Sequence, residues 1–334
     1  MAATLKDIAS LLNVSVNTVS RALKDKEDIG LQTRRRVKEA AEALGYRPNL
    51  NARSLVLKKT NTVGLAITES NNPVRMELCD ALVRRAAKDG YRLLTVALHH
   101  VWNQDNENAV TELLDRRVDG LILGAVWGLP GEETLGKVLL EYKKSQIPAV
   151  LFGNPLTELA DCVIFDEEES TFLLMKYLLE KGYRSIRLFD GENSSIYKGC
   201  LRAAQAMDCP ERLSAGPACS RYSKEAFEGM DQFLSRKKRT LPDAVIASND
   251  LGAMGFIAAL HKHGIKIPSQ CAVAGFDNIA HGQFLTPALT SVGYDKDAVA
   301  ETIWQLLYRR MNGKTPFPVK KVTVPYQLYI RKST

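Results

Sequence analysis

Leu5 to Leu23 reads "LKDIASLLNVSVNTVSRAL". Leu5, Ile8, Ala9 and Leu12 recur at the spacing of one apolar helix face. Asn13 follows, a residue that tolerates positive φ and so suits a sharp turn between helices. Ser15 can then cap a second helix, from about Val16 to Leu23. On that helix Asn17, Ser20, Arg21 and Lys24 form a polar stripe, with Val19, Ala22 and Leu23 on another side. A third amphipathic segment covers about Gln32 to Leu44 and ends at Gly45, a plausible C-cap. Three short helices with a tight first turn describe a helix-turn-helix, whose second helix enters the major groove.

The chemistry of the stripe fits base edges. Asn pairs with adenine, Arg with guanine, and an apolar side chain meets a thymine methyl. Val16, Asn17 and Arg21 are therefore the expected base readers. Thr4, Ser15, Thr18, Ser20, Lys24 and Arg34 complete the DNA-contacting set and suit phosphates. Charge agrees. Residues 1–60 hold 12 Lys or Arg against 6 Asp or Glu, whereas the remainder holds 33 against 32. A basic segment on a nearly neutral body suggests a polyanionic partner.

With "TRRRVKEAAEALGYRPNLNARSL" following it, the opening stretch closely resembles the head of the lactose-repressor (LacI/GalR) family of bacterial transcription regulators. Lys24 stands where that family usually has Asn, and Gly30 where it often has Ser. Residues 50–57 could form two helical turns after a cap at Asn49, a length that needs a partner surface to be stable. In the resembling family this hinge helix folds when two subunits meet on DNA. The resemblance then implies that Leu55, beside Ala52 and Arg53, wedges into the minor groove.

From residue 61 the pattern alternates. "TVGLAI", "YRLLTVA", "VDGLILG", "IPAVLF", "DCVIF", "SIRLF", "DAVIA" and "CAVAGF" read as strands. Helical segments lie between most of them, including 74–89, 103–117, 134–145, 168–181, 223–236 and 250–263. Repeated βαβ units predict α/β architecture with parallel sheets buried on both faces. Ligands in such folds bind at the carboxyl ends of strands. No G-x-G-x-x-G, Walker loop or G-x-S-x-G occurs, and no nucleophile–base set emerges, so an enzyme is not expected. "DEEE" at 166–169 reads as a solvated first helical turn. The strand ends instead carry polar and aromatic groups, among them Asn71, Trp127, Asn154, Asn193, Tyr222, Asn249 and Asp277, the equipment of a small-molecule receptor.

"PDAVIASNDLGAMGFIAALHKHGIKIP" and "AVAGFDNIAHGQFLTPALTSV" resemble the effector domain of the same family. That implies a two-lobed, periplasmic-binding-protein-like (type I) body with three crossing strands. By motif position Asn249 and Asp277 contact the ligand, with Phe165, Asp166 and the 153–154 pair near the cleft. Many sugar-binding relatives carry an arginine where Leu201 stands here, so Arg202, Tyr197 or Lys198 is expected to replace it.

The expected organisation is a head over 1–48, a hinge over 49–60 and a ligand-binding and dimerisation domain over 61–334. Its first lobe would take about 61–163 and 292–320, and its second about 164–289 and 321–334. The expected function is a ligand-responsive, sequence-specific repressor of a carbohydrate-utilisation operon, binding pseudo-palindromic operator DNA as a homodimer. Alternatives are a solute receptor without DNA function, and a purine or nucleoside effector in place of a sugar. No cofactor or metal is expected. The six cysteines form no C-x-x-C pair and read as reduced, mostly buried thiols. The N-terminus shows none of the regions of a signal peptide, so a cytoplasmic protein is expected. The chain ends at Thr334 without a leucine-heptad tail, so a dimer rather than a tetramer is expected.

Overall fold

The computed structural model describes residues 3–47, 59–68, 71–99, 102–124, 131–153, 157–216, 222–236, 240–313 and 318–334, with residues 131–134 as backbone only. The chain falls into two compact units, 1–60 and 61–334.

The first unit holds α1 (Leu5–Leu12), α2 (Val16–Ala22) and α3 (Leu31–Ala43). Thr4 opens α1 in a capping box. Its hydroxyl accepts from the Asp7 backbone N–H, and the Asp7 carboxylate accepts from the Thr4 backbone N–H. Asn13 closes α1 in the left-handed region at φ 54°. Ser15 caps α2 by accepting from the Thr18 N–H at 3.0 Å. Ile8, Ala9, Val19, Ala22, Val37, Ala40 and Ala41 form the small core of this unit.

The second unit contains two six-stranded sheets. The first has the order β11-β5-β4-β3-β1-β2 and every pair described is parallel. Its strands are β1 (Thr62–Thr68), β2 (Arg92–Leu98), β3 (Gly120–Gly124), β4 (Ala149–Gly153), β5 (Asp161–Phe165) and β11 (Lys321–Val324). The second sheet has the order β12-β10-β9-β8-β6-β7, with only β12 antiparallel. It comprises β6 (Ile186–Phe189), β7 (Leu213–Ala215), β8 (Ala244–Ala247), β9 (Ala272–Phe276), β10 (Thr290–Gly293) and β12 (Gln327–Tyr329).

Helices cover both faces of each sheet. In the first lobe α4 (Pro73–Lys88) and α11 (Lys296–Asn312) pack on one side, α5 (Gln104–Asp115) and α6 (Gly131–Lys144) on the other. In the second lobe α7 (Glu167–Glu180) and α8 (Ser195–Ala206) oppose α9 (Ser223–Leu234) and α10 (Asp250–Lys262). The near-continuous apolar strands follow from this double coverage, as at β1, where every residue after Thr62 is buried. The strand Lys321–Val324 pairs with β5, so the lobe change expected near residue 320 falls after Val324. Likewise Thr290 and Ser291 pair within the second sheet, and the chain changes lobe after Gly293 rather than before 292.

The chain crosses between lobes three times, after β5, β10 and β11. Each crossing carries an aromatic ring. Phe165 stacks on Tyr294 at 4.7 Å and 12°, and Tyr294 meets Tyr326 edge-on at 5.7 Å. Burial pushes the phenols of Tyr294 and Tyr326 up, so both stay neutral. Cys79, Cys162, Cys200, Cys209 and Cys271 are buried free thiols, and Cys219 lies outside the described residues. Among the described residues no helix is long and apolar enough to cross a membrane, and no three potential ligands gather for a metal.

Candidate nucleic-acid interface and ligand cleft

On α2 the buried side is Val19 and Ala22, which pack against α1 and α3. The opposite side presents Asn17, Arg21 and a 40 % exposed Val16 to solvent, with Lys24 exposed just beyond the helix. Thr18 and Ser20 are half-buried flanks. The Ser15 and Thr18 hydroxyls bond each other at 2.8 Å, so both are oriented at the N-terminus of α2. Arg34 is half-buried on α3. Arg21 is not loose: its Nη2 lies 2.6 Å from Oδ2 of Asp28. Asn49, Ala52, Arg53 and Leu55 lie outside the described residues.

The cleft arises where the two sheets reverse their strand order. The first sheet switches between β1 and β3, the second between β6 and β8. Loops leaving β1, β6 and β8 therefore splay apart and open a crevice at the strand ends. Asn72 and Arg75 follow β1, Ile196 follows β6, and Ser248 and Asn249 follow β8. Together with Glu167, Phe276 and Asp277 they line a narrow cavity of about 20 Å³ between the lobes.

Asn249 caps α10, its Oδ1 accepting from the Gly252 N–H at 2.8 Å. Asn72 caps α4 in the same manner, accepting from the Val74 N–H at 3.2 Å. Glu167 is 7 % exposed and accepts from the Ser195 hydroxyl at 2.6 Å. Asp277 adopts φ 109°, which turns the chain sharply at the end of β9. Below it Lys296 donates to the Asp277 and Asn278 carbonyls at 2.8 and 2.5 Å and sits 3.6 Å from Glu77. Burial lowers the Lys296 pKa, against the pull of Glu77 and Asp277.

Of the ligand set expected from sequence, Asn249 and Asp277 meet in this cavity. Several others go elsewhere. Arg202 sits outside the cleft on α8, 3.2 Å from Glu168, also bonded to Glu169 and lying over the Phe172 ring at 4.6 Å. The helical period explains the error: α8 buries Ile196, Gly199, Cys200, Ala203 and Ala204, which turns position 202 to solvent. Tyr197 packs half-buried beside the core between α7 and α8. Phe165 is 2 % exposed and belongs to the hinge stack. Asn193 is exposed in the loop after β6, and Tyr222 is exposed at the start of α9. Asn71 is exposed, while its neighbour Asn72 faces the cavity. Trp127 and Asn154 lie outside the described residues.

Arg75 and Glu167 were missed. "DEEE" does open a helix, but its second carboxylate is buried in the cleft rather than solvated. Arg75 is 8 % exposed, an unusual burial for a cation, and sits among apolar helix neighbours that gave no local signal.

Comparison with known proteins follows this anatomy. Residues 4–49 match the model for "Bacterial regulatory proteins, lacI family", and residues 175–334 match "Periplasmic binding protein-like domain". The chain thus joins a lacI-family head to a periplasmic-binding-like body. It is 29 % identical to the HTH-type transcriptional repressor PurR of Pectobacterium atrosepticum, over 93 % of this chain and 91 % of the relative. PurR of Yersinia pestis is also 29 % identical, over 99 % and 96 %. A lac repressor dimer bound to operator and the anti-inducer ONPF has a similar fold, with TM-score 0.80, 23 % identity and coverage of 100 % and 99 %. The regulator CelR with cellobiose gives TM-score 0.67 and 24 % identity over 99 % of this chain and 100 % of that one. A lacI-family head preceding a periplasmic-binding-like body makes this chain a DNA-binding transcriptional regulator.

Proposed function

We propose that the protein is a cytoplasmic repressor that binds pseudo-palindromic operator DNA as a homodimer and is switched by a small polar ligand in the inter-lobe cleft. The observation that carries the DNA half is the exposed Val16–Asn17–Arg21 stripe over a buried Val19–Ala22 side. The PurR relatives are themselves named as transcriptional repressors. Binding to a duplex should weaken steeply with salt, because several phosphates would be neutralised at once. A flat salt dependence would remove this reading.

The ligand half rests on the cavity. Its described lining is mostly polar, with Asn72, Arg75, Glu167, Ser248, Asn249 and Asp277 against Ile196 and Phe276. Such groups hold hydroxyls in defined positions, which favours a sugar or sugar derivative. The PurR relatives favour a second reading, a purine stacked on Phe276. Thermal shift against pentoses, hexoses, disaccharides and purine bases decides between them, since a ligand that binds only the folded state raises its stability. For the compound that binds, Arg75→Met should weaken affinity about ten- to a hundred-fold, the worth of a charge-assisted hydrogen bond. Unchanged affinity would take Arg75 out of the site. The same incubation should return the ligand chemically intact.

Ligand contacts from both lobes supply the switch. Asn72 and Arg75 belong to the first lobe, and Ser248, Asn249 and Asp277 to the second. A ligand bridging them favours the closed arrangement and shifts the population toward it. The homodimer surface would lie on the outer face of α4, where Met76 and Val83 are exposed, continuing to Phe284, which is 79 % exposed. Glu77 on α4 accepts from the Ala280 N–H at 2.7 Å, which brings that face beside the turn carrying Phe284.

A further inference from the structure

The segment "KDKEDIG" from Lys24 to Gly30 joins α2 to α3 and places three of the six acids of the net-basic residues 1–60, Asp25, Glu27 and Asp28, close together. Carboxylates on a surface that meets phosphates oppose binding, so each needs a compensating use. Asp25 has one within the fold: its carboxylate takes the Lys38 ammonium at 2.6 Å. Asp28 reaches back instead to the reading helix, 2.6 Å from Arg21. Both side chains are half exposed, 44 % and 52 %, so the pair is not buried for packing. The hydrogen bond raises the Arg21 pKa and lowers that of Asp28, which keeps both groups charged at neutral pH.

An unpaired arginine on an exposed helix face samples many rotamers and must be ordered when it meets a base. One held by a carboxylate is ordered beforehand. The guanidinium has five N–H donors, and the contact to Asp28 uses one nitrogen. Enough donors remain for the two parallel bonds that read guanine O6 and N7.

We propose that Asp28 is a positioning residue for sequence recognition, holding the Arg21 guanidinium in its reading orientation while its own charge disfavours phosphates in the wrong register. This rests on the assignment of Arg21 as a base reader. An ion pair that merely decorates the surface would leave base preference untouched. A pair that masks Arg21 until DNA displaces it would restrain operator binding, and breaking it would strengthen that binding.

The test uses the full-length protein and a duplex selected by it from a randomised pool, against random-sequence duplex of equal length. Arg21→Ala should erase preference at one base pair in each half-site. Asp28→Asn should reduce preference at that same pair, lowering the ratio of selected to random affinity about 3- to 5-fold, with random-duplex binding no weaker. Asp28→Glu should recover part of the ratio, and Asp28→Asn should add nothing in the Arg21→Ala background. Asp28→Ser repeats the measurement in case the amide disturbs the turn. Unaltered preference at the Arg21 pair in both Asp28→Asn and Asp28→Ser overturns the proposal, as does a selected-to-random affinity ratio above that of the wild-type protein. If Arg21→Ala itself leaves every base preference intact, the base-reader assignment falls first and the proposal with it.

Discussion

Asp250 is wholly buried at the first turn of α10. Its two oxygens accept from the Ser291 hydroxyl at 2.6 Å and the Ile279 N–H at 2.8 Å, tying α10 to the loop after β9. Gly275 is required beneath it, because a Cβ there would lie 2.1 Å from Asp250 Oδ1. Burial, aided by Asp277, pushes the Asp250 pKa up to about 8, against the hydrogen bonds from Ser291 and Ile279. The unfolded chain would release this proton near pH 4. The folded state thus binds the proton more tightly. Its contribution is full below about pH 4 and is lost as pH rises through about 8. The melting temperature should fall between about pH 4 and about pH 8 and level off above that, and Asp250→Asn should flatten that slope. An equally steep slope in the variant would show that other groups set it.

Among the elements, α11 is clamped to the first sheet by one charged contact. Arg310 Nε and Nη2 each donate to Asp161 at 2.6 Å, and Asp161 also accepts from the Lys320 N–H at 2.8 Å. Asp161 is nearly fully buried, so Arg310→Ala would strand its charge and should cost about 3 kcal/mol in urea unfolding. The pair Arg35–Glu39 on α3 is a control: it is exposed on both sides, and Glu39→Ala should cost under about 0.5 kcal/mol. Equal losses would mean that burial does not decide the difference. The pairing of α7 with α8 depends on a small residue, since a Cβ at Gly199 would lie 2.1 Å from the Glu168 carbonyl oxygen and from Thr171 Oγ1. Gly199 also hides α8 from the sequence. Glycine inside a helix lowers its propensity, and α8 forms because its small face fits α7.

For the whole molecule, the hinge and the proposed dimer face are mechanically linked. Phe165, Tyr294 and Tyr326 stack across the three crossings, and Lys296 and Glu77 reach from the first lobe to residues 277–280 of the second. A change in lobe angle must disturb these bonds and the neighbouring outer face of α4. Val83→Asp and Phe284→Asp place charge on exposed apolar positions and should leave the fold intact. Each should convert a dimer into a monomer by sedimentation, with loss of tight operator binding because half-sites are then held singly. A dimer that persists in both variants would move the interface elsewhere.

The head was legible because its signals are local. Asn13 at positive φ, Ser15 as a cap and the buried Ile8–Ala9 face all fall within a few residues of their causes. The alternation of strands and helices likewise announced parallel α/β lobes, since continuous apolar strands have few other uses. The cleft was legible only in part. Asn249 and Asp277 lie in motifs that resemble a family, whereas Arg75 and Glu167 reach the cavity through the strand order of two sheets. Arg202 looked as suitable in sequence, yet the packing of α8 on α7 turned it to solvent. Helix periodicity and capping depend on neighbours in the chain, so the sequence determined most of the elements, though not α8 or the short strands β7, β10, β11 and β12. Which charges share a cavity depends on how whole elements pack, and only the tertiary structure decided that.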